Sequence, residues 1–177
     1  MDENTINKIL ADPILKARMI ELLLKDEKLV RFTGEVSLIV TAPDGTVKGK
    51  RLVRNLVVNS GLYHIIDRLE TTPDEAAMGW AAVGDDATAA GATDTALFGE
   101  LGRVALTSKI QGAGGSANQL TYSATVPAGT GTGTIVEAGL FNASSGGNML
   151  ARSVFAPIVK GAGDAIDITW VLTAAAA

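Results

Sequence analysis

The sequence predicts a mainly β protein: an antiparallel β-sandwich or barrel-like domain with one internal helix and an N-terminal helical arm. Short segments of alternating apolar and polar residues recur after residue 34, and Gly-, Pro-, Asn- or Asp-rich turns separate them. The strands predicted after residue 100 have no helices between them, which argues against parallel βαβ units. We therefore expect an arm at residues 1–33 and a β domain at residues 34–177.

The arm has the pattern of an amphipathic helix. Asp12 can cap a helix that starts at Pro13, because proline is tolerated at the first helical position. Such a stripe packs either on the chain's own domain or on a neighbouring subunit, and the sequence leaves both alternatives open. The candidate arm contacts share one face at i, i+4, i+7 and i+8: Leu15, Met19, Leu22 and Leu23.

Two strands and the internal helix follow the arm. Val36–Thr41 alternates as a half-buried strand does, Pro43-Asp44-Gly45 predicts a turn, and residues 47–58 return as the partner strand. We expect Asn59 or Ser60 to cap a helix at Gly61–Leu69. His64 lies between the apolar positions and is expected at the surface or partly hydrogen-bonded, with a functional role as the alternative. The stripe that should face the sheet is Leu62, Ile65, Ile66 and Leu69.

Four further strands are predicted outside the central hairpin. They lie at Met78–Val83, Arg103–Ile110, Gln119–Val126 and Ala165–Thr173. The first ends in Gly84-Asp85-Asp86, for which a capped turn is a better interpretation than a Ca²⁺ loop. Glu100 and Arg103 are expected to form an ion pair, and the closing alanines are expected to be a frayed tail.

The hairpin Ile135–Phe155 is the feature around which the other strands are arranged. It consists of a strand, a Gly-rich turn and a second strand, and its two arms carry only two charges, Glu137 and Arg152. The turn, residues 142–148, is uncharged and is a candidate contact surface. Its candidate contact residues are Asn142, Ser144, Ser145 and Asn148.

Composition argues against several functions. The formal net charge of −4 gives no general attraction to nucleic acid or to anionic membranes, and no apolar run reaches the length of a membrane span. The basic cluster Lys48, Lys50, Arg51 and Arg54 is interpreted as a solvated strand face or a charge-guarded edge.

We expect no enzymatic activity, no cofactor and no metal. The chain has no cysteine and a single histidine, and it has no nucleophile motif such as G-x-S-x-G. We therefore identify no catalytic residue in the sequence.

From Gly34 to Thr173, the order of these segments resembles a family of small virion proteins of tailed bacteriophages. Six segments carry the resemblance: GEVSLIVTAPDG, NLVVNSGLYHIIDRL, MGWAAVGDDATAA, DTALFGELGR, IVEAGLFNASSGGNMLARSVFAPIVK and DAIDITWVL. The EAGLF segment, the Gly-rich loop and LAR also resemble the base domains of tail-collar and tail-fibre proteins. The resemblance implies a β-sandwich without enzymatic activity that serves as a building block of the particle.

The leading hypothesis is a capsid decoration (cement) protein. It would bind the outside of the major capsid protein shell and stabilise it, as a trimer or another cyclic oligomer, in virions assembled in the host bacterial cytoplasm. The alternative is a tail, collar or fibre-base adaptor. The third hypothesis is a module that binds carbohydrate on the host surface, although Trp80 and Trp170, its only tryptophans, are both expected in the core.

Overall fold

The computed structural model describes residues 12–15 and 30–176. The chain divides into two compact units. The first consists of residues 1–31 and 175–177, and the second consists of Phe32–Ala174. In the first unit, Asp12 Oδ1 accepts hydrogen bonds from the amides of Ile14 (2.8 Å) and Leu15 (3.2 Å). Asp12 therefore caps the helical turn at residues 13–15, as predicted.

Most of the predicted arm falls outside the described residues. Of its four candidate contacts, Leu15 is described, and its side chain is 47% exposed. The other three, Met19, Leu22 and Leu23, lie outside the described ranges. The role of the arm therefore stays a prediction.

Nine strands in the described part of the chain form one mainly antiparallel sheet, which curls into a half-barrel. This confirms the predicted fold class. The order across the sheet is β4-β3-β7-β8-β2-β1-β9-β6-β5. The strands are β1 Val30–Thr41, β2 Val47–Val57, β3 Trp80–Gly84, β4 Glu100–Ala105, β5 Ser108–Gln111, β6 Gln119–Val126, β7 Gly133–Phe141, β8 Met149–Lys160 and β9 Ala165–Ala176.

The core is built from the strand alternation visible in the sequence. In β9, Ile166, Ile168 and Trp170 are buried, and the residues between them face outward. The Trp170 indole Nε1 donates a hydrogen bond to Asn55 Oδ1 at 3.1 Å, so the buried ring has a polar partner. β9 continues through Ala176, so the prediction of a frayed tail is wrong for Ala174–Ala176.

β4 and β5 replace the single strand predicted at Arg103–Ile110. The chain bends at the two residues between them, Leu106 and Thr107. The Leu106 amide donates to the Gly79 carbonyl (2.8 Å), beside β3, while the Thr107 amide donates to the Ser123 carbonyl (2.7 Å) in β6. β4 and β5 form the two edges of the sheet, although they are consecutive in the sequence.

The internal helix, α1 (Asn59–Asp67), differs from the prediction in its cap and in its buried face. Val58 is the N-cap and supplies no side-chain cap, whereas the Ser60 hydroxyl donates to the Met149 carbonyl at 2.9 Å. A Cβ on Gly61 would lie 2.0 Å from the Leu150 carbonyl oxygen. The helix therefore packs its Gly61 and His64 side against β8. Of the predicted stripe, Ile65 packs against the core, whereas Leu62, Ile66 and Leu69 are exposed.

The basic residues of β2 do not guard an edge, because β2 lies between β8 and β1. Lys48 Nζ instead lies 2.5 Å from Asp164 Oδ2. Hydrogen bonds from Lys48 and from the Gly161 amide lower the pKa of the Asp164 carboxyl below its ordinary value. Arg51 donates to the carbonyls of residues 156 and 157. The interpretation as a solvated strand face remains.

Candidate interaction surface at the hairpin tip and helix α1

The predicted central hairpin is confirmed as β7 and β8, which are paired antiparallel with a tip at residues 142–148. Its register places Glu137 opposite Val154 and Gly139 opposite Arg152. Glu137 and Arg152 are therefore diagonal neighbours on one face of the hairpin. Both side chains are completely buried.

Arg152 is the centre of a buried ion cluster. Its Nε donates to Glu137 Oε2 at 2.8 Å, and its Nη1 donates to Asp94 Oδ2 at 2.9 Å. Its guanidinium carbon lies 4.3 Å from the centre of the Phe98 ring, while Glu137 Oε1 accepts a hydrogen bond from the Gly99 amide at 2.7 Å. The cluster therefore attaches the segment that leads from β3 to β4 to the central hairpin.

The predicted capped turn at the start of that segment is also present. Asp86 Oδ1 accepts a hydrogen bond from the Thr88 amide at 2.7 Å. The hydrogen bonds from Thr88 are the main cause of a lowered pKa of the Asp86 carboxyl. The predicted ion pair is confirmed as well, with Arg103 Nη2 at 2.6 Å from Glu100 Oε2.

Two of the four predicted tip contacts close the tip instead of projecting from it. The backbone amide of Asn148 donates to Asn142 Oδ1 at 2.7 Å, and the backbone amide of Asn142 donates to the backbone carbonyl of Asn148 at 3.1 Å. Arg103 supports the tip from β4 through hydrogen bonds to the carbonyls of residues 143 (2.8 Å) and 146 (3.0 Å). Ser144 and Ser145 are the predicted contacts that remain exposed.

The two glycines of the tip provide a matched test of this geometry. Gly146 and Gly147 have φ values of 55° and 70°, which L side chains rarely adopt. A Cβ on Gly146 would meet nothing within 4 Å, whereas one on Gly147 would lie 2.5 Å from Asn142 Oδ1 and 2.6 Å from the Ala143 Cβ.

We expect Gly146→Ala to lower the free energy of unfolding by about 1–2 kcal/mol, the cost of a left-handed backbone. Gly147→Ala should cost about 1–3 kcal/mol more, because the added methyl also overlaps its neighbours. Urea denaturation followed by circular dichroism measures both variants. Equal losses of stability would contradict the close packing of the tip around Gly147.

A polar cluster connects the tip to α1. Asn148 Nδ2 donates to Glu75 Oε1, and Glu75 Oε2 lies 3.0 Å from His64 Nδ1. The Asp67 carboxylate accepts hydrogen bonds from the amides of Asp74 (2.9 Å) and Glu75 (3.3 Å). His64 is 4% exposed, so the alternative of a surface histidine is wrong and the hydrogen-bonded alternative is correct.

The outer side of α1 and of the turn that follows it is an exposed apolar surface, which we call the α1 face. It consists of large side chains that are between 40% and 79% exposed: Leu62, Tyr63, Ile66 and Leu69. Three of them are members of the stripe predicted to face the sheet. Because apolar residues clustered on one exposed helix face mark interaction sites more often than scattered ones do, the α1 face is the strongest candidate contact surface in the described residues.

A cavity of about 470 Å³ adjoins the α1 face. Its lining is mostly apolar and includes Phe32, Ile65, Leu69, Leu120, Tyr122 and Leu172. Burial raises the pKa of the Tyr122 hydroxyl to about 12. Leu69 belongs both to the cavity lining and to the α1 face, which makes the two apolar surfaces continuous.

Within the described residues, none of the helices combines the length and the apolar character that crossing a bilayer requires. In comparisons with protein-family models, curated proteins and solved structures, nothing matches this chain. The features of the described residues that bear on function are the α1 face, the hairpin tip and the polar cluster between them.

Proposed function

We propose that this chain is a non-enzymatic structural component of a tailed-phage virion, and specifically a capsid decoration protein. In this role it binds the outside of the major capsid protein shell as a cyclic oligomer and stabilises the shell. The observation that carries the proposal is the α1 face, because four large apolar side chains on one short helix and the turn after it are exposed to water. The resemblance of the segment order to small virion proteins supplies the class of partner.

The free energy gained by burying the α1 face is small enough that each single contact is weak and affinity depends on repeated contacts. Fully burying one leucine or isoleucine side chain contributes about 1.5–3 kcal/mol. Partial burial of the four side chains of the α1 face must offset the entropy lost on association, so each single contact is weak. Many identical contacts on a symmetric shell, or several within one oligomer, gain affinity through multivalency.

The hairpin tip, with its exposed Ser144 and Ser145, is held in a fixed position next to α1. Asn148 of the tip donates a hydrogen bond to Glu75, and Glu75 in turn contacts His64 of the helix. On the other side of the tip, Arg103 holds the carbonyls of Ala143 and Gly146. A pre-organised surface loses less conformational entropy on docking, which favours assembly.

The proposal is tested by locating and counting this chain on purified particles. Quantitative mass spectrometry of particles from a lysate, calibrated against the major capsid protein, gives the copy number, and immunogold labelling gives the position. Hundreds of copies on the head are expected for a decoration protein. A few copies at one vertex would replace decoration with the tail, collar or fibre-base alternative, and absence from the particle would overturn the virion proposal.

One substitution tests the α1 face directly. Ile66→Lys places a charge in the centre of the face and should weaken binding to particles at least about tenfold, because burial of the isoleucine is lost and a charge must be desolvated. Co-sedimentation of purified protein with particles lacking this chain measures binding.

Ile110 in β5 provides the matched control. Ile110 is 62% exposed, nearly the same as the 63% of Ile66, but it lies on a different element. Ile110→Lys should bind as the unsubstituted protein does. Equal binding by both variants, with both folded by circular dichroism, would remove the α1 face as the contact.

A further inference from the structure

We propose that His64, Asp67 and Glu75 form a binding site for one divalent transition-metal ion, with Zn²⁺ as the best-suited ion. The three residues offer an imidazole nitrogen and two carboxylate oxygens, and these ligand atoms all lie within 4.8 Å of one another. The site is independent of the proposed virion role, since it is defined by side chains of this chain alone.

The local fold brings the three ligands together before any ion binds. His64 and Asp67 lie three residues apart on α1, so they are neighbours on the helix surface. Asp67 accepts the amide hydrogen bonds of Asp74 and Glu75, and this fixes the turn that returns Glu75 to the helix. The close approach of Gly61 to Leu150 fixes the helix itself.

Asn148 supplies the outer support that metal-binding carboxylates commonly have. Its Nδ2 donates to Glu75 Oε1, which leaves Oε2 facing His64 Nδ1 at 3.0 Å. Hydrogen bonds of this kind orient ligating carboxylates and increase metal affinity. A residue of the hairpin tip therefore holds a ligand that comes from a different part of the chain.

A small ion needs only modest adjustment of the ligand atoms, which lie within 4.8 Å of one another, and the longer separations have to close on binding. Zn–N and Zn–O bonds are about 2.0–2.2 Å long, so two ligands in a tetrahedral site lie roughly 3.4 Å apart. The gap of 3.0 Å between His64 Nδ1 and Glu75 Oε2 therefore has to open by only a few tenths of an ångström. Metal binding requires Nδ1 to be free of a proton, so the ion replaces the hydrogen bond between these two atoms.

The charges and the donor types favour a transition metal. Two carboxylates converge on one imidazole that is 4% exposed, and the nearby Arg68 donates to the Glu75 carbonyl oxygen rather than to either carboxylate. A divalent cation offsets the repulsion between the two carboxylates. Imidazole suits Zn²⁺ and related ions, whereas Ca²⁺ and Mg²⁺ take oxygen ligands, so binding should discriminate between these groups.

Isothermal titration calorimetry on the full chain, treated with EDTA and dialysed, tests the site with ZnCl₂ and with MgCl₂. We expect one Zn²⁺ per chain, with binding at least tenfold tighter than that of Mg²⁺, and a rise in Tm with Zn²⁺. Co²⁺ provides a spectroscopic check, because its visible absorption bands report a nitrogen and oxygen donor set.

Glu75→Gln should weaken Zn²⁺ binding at least tenfold, since it removes a charged ligand and retains the shape of the side chain. Asp74→Asn is the matched control and should bind normally, because the exposed Asp74 contributes only its backbone amide to the cluster. His64→Gln provides a second variant if Glu75→Gln unfolds. No saturable Zn²⁺ binding by the unsubstituted chain, or equal binding by a folded Glu75→Gln variant, would overturn the proposal.

Discussion

Replacing Arg152 with alanine is expected to lower the free energy of unfolding by about 3–5 kcal/mol, since removal of one partner leaves a buried charge uncompensated. Glu137 would remain completely buried without its guanidinium partner, and Asp94 would lose the hydrogen bond from Nη1. The segment between β3 and β4 would also lose its attachment to the hairpin. Urea denaturation followed by circular dichroism measures the change.

Two comparisons make the Arg152 experiment specific. Arg54→Ala removes an exposed arginine and should change stability by no more than about 0.5 kcal/mol. The double variant Arg152→Met with Glu137→Leu removes both charges and should be less destabilised than Arg152→Ala. If Arg152→Ala were as stable as Arg54→Ala, the buried cluster would have no role in stability.

Trp170→Ala is expected to cost about 3–5 kcal/mol, because it leaves a large cavity at the centre of the half-barrel. Trp170 is completely buried in β9 and also donates a hydrogen bond to Asn55. Trp170→Phe retains most of the apolar volume but leaves Asn55 Oδ1 without this donor, so its cost should be about 1–3 kcal/mol. The same denaturation experiment ranks the two variants.

Tyr63 is the aromatic control for Trp170. It is 71% exposed on α1, so Tyr63→Ala should alter stability by no more than about 0.5 kcal/mol. A loss for Trp170→Ala as small as that for Tyr63→Ala would mean that Trp170 contributes little to the packing of the core. Equal losses for Trp170→Ala and Trp170→Phe would assign the effect to the hydrogen bond rather than to volume.

The strands and the hairpin were predictable because their signals are local. β6 coincides with the predicted Gln119–Val126, and the tip at residues 142–148 follows from its glycines and asparagines. In β9, apolar residues alternate with polar or smaller ones, which identified its buried face without knowledge of its neighbours. Each of these features depends on the backbone preferences of adjacent residues.

The buried face of α1 was mispredicted because a single glycine outweighs the apolar stripe. The pattern Leu62, Ile65, Ile66 and Leu69 predicts a face that packs on the core, and of these four Ile65 does so. Gly61, however, lets the helix backbone approach the Leu150 carbonyl closely, and in this orientation the other three side chains are exposed. Helical periodicity records which side chains are apolar, and it contains no information about where two backbones can touch.

The ion cluster and the polar cluster depend on contacts between distant segments, which single-sequence patterns do not reveal. Glu137 and Arg152 were recognised as the only charges of the hairpin, but their partner Asp94 comes from a separate loop. His64 meets Glu75 across a turn, and Glu75 meets Asn148 of the hairpin tip. The one local sign of the polar cluster in the sequence is the spacing of His64 and Asp67, three residues apart on the predicted helix.

The two-residue connection between β4 and β5 has a consequence for aggregation. The free edges of an open sheet attract strands from other molecules, and proteins commonly protect them. Here both edge strands belong to one short stretch of chain, and the amides of Leu106 and Thr107 are bonded to opposite ends of the sheet order. The short connection therefore fixes the two edge strands where they meet, and we expect this to limit fraying of both edges there.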